Sequence, residues 1–192
     1  MTPLDRLLES YRATAISERD KGTAFEKLVA AWLVADPVQS KRFAQVELWS
    51  DWARRRELDR TDTGIDLVGM LHDGGFAAIQ CKFFDANRRI RKEDIDTFIS
   101  ASAKPAFAER LIVETTDMPW SANAETMLHG QMVPTAVIGL RALRESQVDW
   151  SATPIATRSR RWAIRATRST CSFGSSPSAS RPQRPCAPFL NW

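Results

Sequence analysis

The sequence predicts an α/β fold in which a mixed β-sheet is flanked by helices. Two observations support this prediction. Apolar residues recur at helical spacing near the N-terminus, and short apolar runs typical of strands alternate with helical segments in the second half of the chain. A length of 192 residues is enough for one domain of ordinary size with a hydrophobic core, followed by a tail.

The first half begins with two predicted amphipathic helices. Residues 1–13 carry leucines at helical spacing, and a second helix around residues 25–33 is expected to end near Asp36 and Pro37, because proline disfavours helix in the residue before it. Residues 44–49 alternate between apolar and polar side chains, which predicts a strand, and residues 51–63 form a polar segment.

The remaining elements follow from short apolar runs and turn signals. Apolar runs at residues 65–68 and 77–84 predict two strands, and the sequence His72-Asp73-Gly74-Gly75 between them predicts a hairpin turn. The later elements are expected to be a helix over residues 92–103, a buried strand over 110–114, a helix over 121–130 capped by Ser121, a strand over 135–140 and a closing helix over 141–146.

Cysteine usage and hydropathy exclude several classes of protein. Cys81, Cys171 and Cys186 are too few and too scattered for a disulfide framework or a zinc site. The N-terminus has no signal-peptide pattern, and no apolar run is long enough to cross a bilayer. We therefore expect a cytoplasmic protein.

The charge distribution divides the chain near residue 150. The net charge is +4, yet residues 151–192 contain seven arginines and no Asp, Glu or Lys, so residues 1–150 carry a net charge of −3. We predict one domain over residues 1–150 and a disordered Arg/Ser/Pro-rich tail over residues 151–192. The tail is interpreted either as the product of out-of-frame translation or as a basic nucleic-acid-binding segment.

Polar residues occur inside the two strands of the predicted hairpin. Asp66 lies in the first apolar run, and Gln80 and Lys82 lie on one face of the second. A loop of residues 73–75 would place Asp66 opposite Lys82 and diagonal to Gln80. Because a buried charge is costly without a partner, this pattern indicates a functional site; a structural ion pair between Asp66 and Lys82 is the alternative.

These residue types suit metal-dependent cleavage of phosphodiester bonds. Hydrolysis requires a divalent cation that activates a water molecule, and a positive group near the developing charge. Asp66 and Glu26 provide carboxylates, Gln80 provides an amide oxygen, and Lys82 provides the cation. Two alternatives stay open: Glu26 could instead close a capping box with Thr23, and Asp62 is either an additional ligand or a turn residue.

In order along the chain, the motifs Gly22-x-x-Phe25-Glu26, Gly64-Ile65-Asp66 and Gln80-x-Lys82 resemble the Mrr-like branch of the PD-(D/E)xK nuclease superfamily. The resemblance covers roughly residues 17–150 and implies a restriction-endonuclease-like fold. It also implies that Asp66, Gln80 and Lys82 with Glu26 form the catalytic site, and that Asp66, Gln80 and Glu26 bind Mg²⁺, with Mn²⁺ as a substitute.

The wider sequence is similar to the nuclease domain at the N-terminus of large restriction–helicase proteins. The resemblance implies a metal-dependent deoxyribonuclease of the type II or type IV restriction kind, acting on double-stranded DNA in restriction or phage defence. It also implies a helicase or translocase region that this chain lacks, since no Gly-x-x-x-x-Gly-Lys-Ser/Thr motif occurs. The oligomeric state stays open, with a dimer as one option.

Basic and aromatic clusters near the motifs suggest DNA contacts. Arg88, Arg89, Arg91 and Lys92 follow the Lys82 strand directly and are expected to bind phosphates. For residues 54–56, phosphate binding and a solvated charge run are equally favoured. Trp49 and Trp52 are expected to pack in the core rather than to stack on bases.

Two other functions are compatible with the same residues. The first is a catalytically silent DNA-binding module that keeps the nuclease fold, because Gln80 replaces the acidic residue usual in the superfamily. The second is a structure-specific DNA repair nuclease, which would use the same site.

Overall fold

The computed structural model describes residues 1–58 and 64–151. Asp62 and, apart from Ser151, the predicted tail lie outside the described residues. Besides two short 3-10 helices (Gln39–Lys41 and Lys92–Asp94), the described residues form six α-helices and five strands: α1 (Pro3–Thr14), α2 (Glu18–Ala35), β1 (Phe43–Leu48), α3 (Trp49–Arg55), β2 (Leu67–Leu71), β3 (Phe76–Lys82), α4 (Asp96–Ala101), β4 (Glu109–Glu114), α5 (Ala122–Leu128), β5 (Thr135–Ile138) and α6 (Leu140–Arg144).

The strands form one mixed sheet in the order β1-β2-β3-β4-β5. β1, β2 and β3 are antiparallel neighbours, whereas β3, β4 and β5 run parallel to one another. Parallel neighbours need a crossover segment, and α4 and α5 lie in these two connections. The predicted α/β class with a mixed sheet flanked by helices is therefore confirmed.

Each face of the sheet is covered by helices. On one face, buried side chains of α1, α2 and α6 pack against alternate sheet positions such as Ile79 and Leu111. On the other face, α3, α4 and α5 pack against the intervening positions such as Ala78 and Ile112. The period-two alternation of β3 and β4 thus separates two cores, and any polar residue in these strands must enter one of them.

The two N-terminal helices begin at side-chain caps. Thr2 and Asp5 form a reciprocal capping box at the start of α1, and the Ser17 hydroxyl accepts a hydrogen bond from the Asp20 amide at the start of α2. Both caps satisfy amide groups that have no partner within the helix. α2 ends at Ala35 with Asp36 as its C-cap, where the sequence predicts the helix to end.

Two predicted segments differ from the structure. Within the polar segment expected over residues 51–63, residues 51–55 belong to α3, because Trp49 and Trp52 lie three residues apart and stack at 5.3 Å between ring centroids against the core. The core placement predicted for these two tryptophans is confirmed, since Trp52 is 3% exposed. The helix expected over residues 92–103 divides into a 3-10 turn, Lys92–Asp94, and α4. None of the helices in the described residues is long and apolar enough to cross a membrane.

A buried hydrogen-bond network ties the end of α2 to the segment after α6. The Asp36 carboxylate accepts hydrogen bonds from the amides of Val38 and Gln39 and from the Ser146 hydroxyl, which in turn accepts one from the Trp32 indole. Burial opposes ionisation of Asp36, but the hydrogen bonds outweigh it and lower its pKa. The network therefore depends on the charged carboxylate.

Replacing Asp36 with asparagine is expected to lower the free energy of unfolding at pH 7 by about 1–2 kcal/mol. Because the folded-state pKa is lowered, this contribution is present above the ordinary aspartate value, about pH 4, and is lost as the pH falls through the folded-state value. Urea unfolding of both proteins at pH 7 and pH 3 measures the difference, with Asp73→Asn on the exposed hairpin loop as control. An Asp36→Asn difference that persists undiminished at pH 3 would contradict this account.

Candidate functional site

The hairpin between β2 and β3 fixes the geometry of the site. Its loop consists of residues 72–74 rather than the predicted 73–75, because the Leu71 amide donates to the Gly75 carbonyl at 2.9 Å. Gly74 makes this turn with a φ of 92°, a conformation that favours glycine, and its amide donates to the Leu71 carbonyl at 3.1 Å.

The observed loop gives β2 and β3 an alignment different from the predicted one. Leu67 pairs with Ile79, so the next residue out, Asp66, lies beside Gln80 and diagonal to Lys82. The predicted direct opposition of Asp66 and Lys82 is wrong by two positions. A two-position shift preserves the alternation of faces, so Asp66 keeps the side of the sheet to which Gln80 belongs.

Asp66 lies immediately before β2, not within the strand as predicted from the sequence. Its amide donates to the Ile79 carbonyl at 2.9 Å, and its carboxylate Oδ2 accepts a hydrogen bond from the Cys81 amide at 2.7 Å. The Asp66 carboxylate thus accepts a hydrogen bond that a backbone carbonyl would accept in a regular antiparallel pair of strands. Cys81 lies between Gln80 and Lys82 in the sequence, so this hydrogen bond holds the Asp66 carboxylate near both residues.

Gln80 has a buried side-chain amide whose nitrogen has a hydrogen-bond partner and whose oxygen has none among the described residues. Its side chain is enclosed within the protein, with a residue exposure of 3%, and its Nε2 donates to the Gly64 carbonyl at 3.1 Å. Its Oε1 is buried and has no hydrogen-bond partner among the described residues. A buried carbonyl oxygen without a partner costs free energy, so this atom is suited to bind a group that the structure does not contain.

Glu26 reaches the site from α2. Phe25 stacks on Phe83 at 5.0 Å between ring centroids, which fixes α2 against the end of β3. Gly22 lies one turn earlier, and a Cβ atom there would be 3.9 Å from the Glu26 Oε1, an ordinary van der Waals distance. The alternative capping box with Thr23 is wrong, because α2 begins at Glu18 and Thr23 lies in its interior.

The Cys81 thiol lies within electrostatic reach of three of the predicted site residues. Burial raises its pKa well above the usual value, the negative charges of Asp66 and Glu26 raise it further, and Lys82 opposes them. The thiol is therefore protonated near neutral pH. The same interactions place Asp66, Glu26 and Lys82 near Cys81. α2, which carries Glu26, covers the sheet face of Ile79 and Cys81, whereas Gln80 belongs to the opposite face with Ala78.

Lys82 ends β3, and its backbone is held by the strand beside it. The Lys82 carbonyl accepts a hydrogen bond from the Thr115 amide at 3.1 Å, and the side chain is half-buried. Its Nζ lies 5.9 Å from the centroid of the Phe84 ring, on which Arg88 also stacks at 3.5 Å.

Sequence reasoning missed Glu114 as a neighbour of the site. It pairs with Lys82 in the parallel register of β3 and β4, and it is 5% exposed. Burial raises the pKa of its carboxyl group, although a hydrogen bond from the Thr116 amide opposes this effect. A glutamate that ends a buried strand was the available signal, but its partner strand could not be identified from the sequence.

The basic segment after β3 is exposed and largely paired with acidic residues. Arg88 binds Asp94 at 2.8 Å, and Lys92 binds Asp96 at 2.8 Å. Arg91 lies 3.8 Å from Glu93. Among the described residues Arg89 forms no ion pair, so it is the cation of this segment that is most available to an external anion.

The donor set fits a hard divalent cation. Asp66 offers a carboxylate and Gln80 an orphaned amide oxygen, which are ligand types that Mg²⁺ prefers. Glu26 extends from α2, on the other face of the sheet from Gln80. No group of three or more His, Cys, Asp or Glu side chains suited to a metal occurs in the described part of the chain. A metal site here would therefore depend on the amide oxygen of Gln80.

Two solved structures resemble this chain. LlaBIII, an ATP-dependent Type ISP restriction-modification enzyme bound to DNA, is 28% identical with a TM-score of 0.61; the match covers 81% of this chain and 9% of that one. The MspJI restriction endonuclease in complex with a 27-mer oligonucleotide is 15% identical with a TM-score of 0.43, over 74% of this chain and 30% of the other. No curated protein matches the chain.

A model of the restriction endonuclease family Mrr_cat_2 matches residues 34–160. The matched range is more than half of the chain. It contains Asp66, Gln80 and Lys82 and begins after Glu26. The resemblance predicted from the sequence motifs is confirmed: the chain belongs to the Mrr_cat_2 family of restriction endonucleases.

Proposed function

We propose that this chain is a Mg²⁺-dependent DNA endonuclease domain that acts on double-stranded DNA in the cytoplasm as part of a restriction or phage-defence system. The observation that carries the proposal is the Gln80 side chain, whose buried Oε1 has no partner among the described residues. Family membership supports the same conclusion.

Each residue of the site has a distinct task in this proposal. Asp66 and Gln80 would hold the cation, and Glu26 would bind it directly or through a water molecule. When bound, Mg²⁺ polarises the scissile phosphate and lowers the pKa of a bound water. Lys82 would hold the attacking water and stabilise negative charge that develops on the phosphate.

DNA would lie along the exposed segment of residues 88–92. The ion pairs of Arg91 and Lys92 join exposed side chains, whereas Arg88 pairs with Asp94, whose side chain is 13% exposed. Exposed pairs contribute little free energy, so Arg91 and Lys92 can exchange their carboxylate partners for phosphates. Arg89 would make the first contact.

The chain spans 9% of the length of LlaBIII, so the context of a larger enzyme is also a proposal. In that context this domain would supply the DNA-cleaving site, and a helicase or translocase region elsewhere would supply movement along DNA. Restriction is favoured over repair by the family match.

Cleavage of plasmid DNA by the full chain tests the proposal. We expect nicking or linearisation in Mg²⁺ or Mn²⁺ and complete loss of cleavage when EDTA is added. Asp66→Asn is the matched variant, because the asparagine oxygen can still accept the Cys81 hydrogen bond while the ligand charge is removed; we expect it to reduce the rate at least about 100-fold. Cleavage that persists in EDTA would exclude the metal mechanism. DNA binding without cleavage in any metal would favour the silent DNA-binding module.

A further inference from the structure

Gly64 is held against α4 in a conformation that only glycine adopts readily. Its φ is 73°, and a Cβ atom at this position would lie 2.9 Å from the Phe98 amide nitrogen and 3.2 Å from the Phe98 Cα. Both neighbours are backbone atoms, which cannot move aside as a flexible side chain could. The position of the Gly64 carbonyl is therefore fixed by the packing of the chain on α4.

This fixed carbonyl determines how the Gln80 amide is oriented. Nε2 donates to the Gly64 carbonyl at 3.1 Å, so Oε1 must point in the other direction. The two ends of the amide are not interchangeable here, because a carbonyl oxygen accepts hydrogen bonds and repels another oxygen. The hydrogen bond consequently leaves Oε1 as the buried end without a partner among the described residues.

We infer that Gly64 is a positioning residue for Gln80, and that its carbonyl selects an amide over a carboxylate at position 80. The inference rests on the proposed metal site. A glutamate at position 80 would place a second oxygen about where Nε2 now lies, facing the Gly64 carbonyl without a hydrogen between them. To avoid this contact the glutamate carboxylate must rotate. Neither of its oxygens then points in the direction of the Gln80 Oε1 in the natural chain.

The inference reverses a simple electrostatic expectation. Adding a carboxylate to a metal site ordinarily strengthens the binding of Mg²⁺, because a charged oxygen is the better ligand. Here the extra oxygen meets a fixed carbonyl in a buried position. We therefore expect Gln80→Glu to bind Mg²⁺ about ten-fold more weakly than the natural chain, as when an outer partner of a metal ligand is lost.

Two measurements on the full chain test the inference. The first is calorimetric titration of Mg²⁺ into the natural chain, Gln80→Glu and Gln80→Met, where methionine matches the length of glutamine without its polar atoms. We expect weaker binding by both variants. The second is hydrogen exchange of the Gln80 Nε2 protons by nuclear magnetic resonance in the metal-free natural chain, where we expect protection relative to an exposed glutamine such as Gln147.

The outcomes separate this inference from the proposed function. Tighter Mg²⁺ binding by Gln80→Glu would overturn the inference, and so would unprotected Gln80 protons in a chain that binds Mg²⁺. Protected protons in a chain that binds no Mg²⁺ would overturn the metal site at Gln80 while supporting the orienting role of Gly64. Unchanged binding by Gln80→Met would overturn the metal site at Gln80. Because the exchange measurement uses the natural chain, the test does not depend on the folding of a variant.

Discussion

Replacing Lys82 with methionine is expected to reduce the rate of DNA cleavage about 10²–10³-fold, the usual cost of removing one group that stabilises transition-state charge. Methionine retains most of the aliphatic stem, which is half-buried at the end of β3. It removes the ammonium group from the strand position diagonal to Asp66. Single-turnover cleavage in saturating Mg²⁺ measures the effect on the chemical step.

The matched control is Lys92→Met, which removes a lysine charge from the exposed segment after β3. Lys92 pairs with Asp96 at 2.8 Å and lies outside the proposed metal site. Its replacement is expected to weaken DNA binding, measured by fluorescence anisotropy, with little change in single-turnover rate. If Lys82→Met weakened DNA binding and left the rate at saturating DNA intact, Lys82 would be a phosphate contact and not a group that acts on the reaction.

The sequence predicted most elements of the fold because their apolar periodicity is regular. It missed α3 for a physical reason: Trp49 directly follows the apolar end of β1 and reads as part of that strand, and the polar residues after it hide a helical face formed by Trp49, Trp52 and Ala53. The strand pattern and the helical spacing meet at this junction. Burial against the sheet decides the outcome there, and burial is a property of the tertiary structure.

The sequence placed the candidate residues on one hairpin, but it did not predict their contacts. Alternation in β3 placed Gln80 and Lys82 on one face, whereas the alignment with Asp66 depended on which glycine of the turn takes a positive φ. Gly74 takes it, and the register moves by two positions. The bonds that orient Asp66 and Gln80 come from backbone groups of Cys81 and Gly64, and such partners are set by register and packing.

Arg110, which lies outside the candidate site, also has contacts that the sequence does not predict. The sequence placed it at the start of a buried strand, where an arginine is expected to reach solvent, yet in β4 it is 1% exposed. Its guanidinium donates to Ser102 Oγ at 2.7 Å, to the Ile99 carbonyl at 3.1 Å and to the Val133 carbonyl at 3.2 Å. The acceptors come from the end of α4 and from the segment before β5. One side chain therefore joins two elements to the sheet.

The partners of Arg110 named above are neutral oxygens, so its contribution to stability is the balance of two opposed effects. Burial disfavours the charged guanidinium and lowers its pKa. Against this, the Ile99 carbonyl near the end of α4 carries part of the negative charge of a helix C-terminus, and this carbonyl and that of Val133 would lose their guanidinium donor if Arg110 were replaced. Replacing a buried ion by an apolar side chain can be stabilising when no acceptor is orphaned, but here several would be.

We therefore expect Arg110→Met to lower the free energy of unfolding by about 3 kcal/mol, the cost of leaving buried acceptors unpaired in a core that keeps its volume. For a domain of this size that corresponds to a fall in Tm of about 6–12 °C, measurable by calorimetry. Arg42→Met is the matched control: Arg42 binds Glu109 at 2.9 Å with 35% of its side chain exposed. Its loss should cost less than about 1 kcal/mol. If Arg110→Met were no more destabilising than Arg42→Met, the desolvation of the guanidinium would outweigh its hydrogen bonds, and Arg110 would not be what holds α4 and β5 to the sheet.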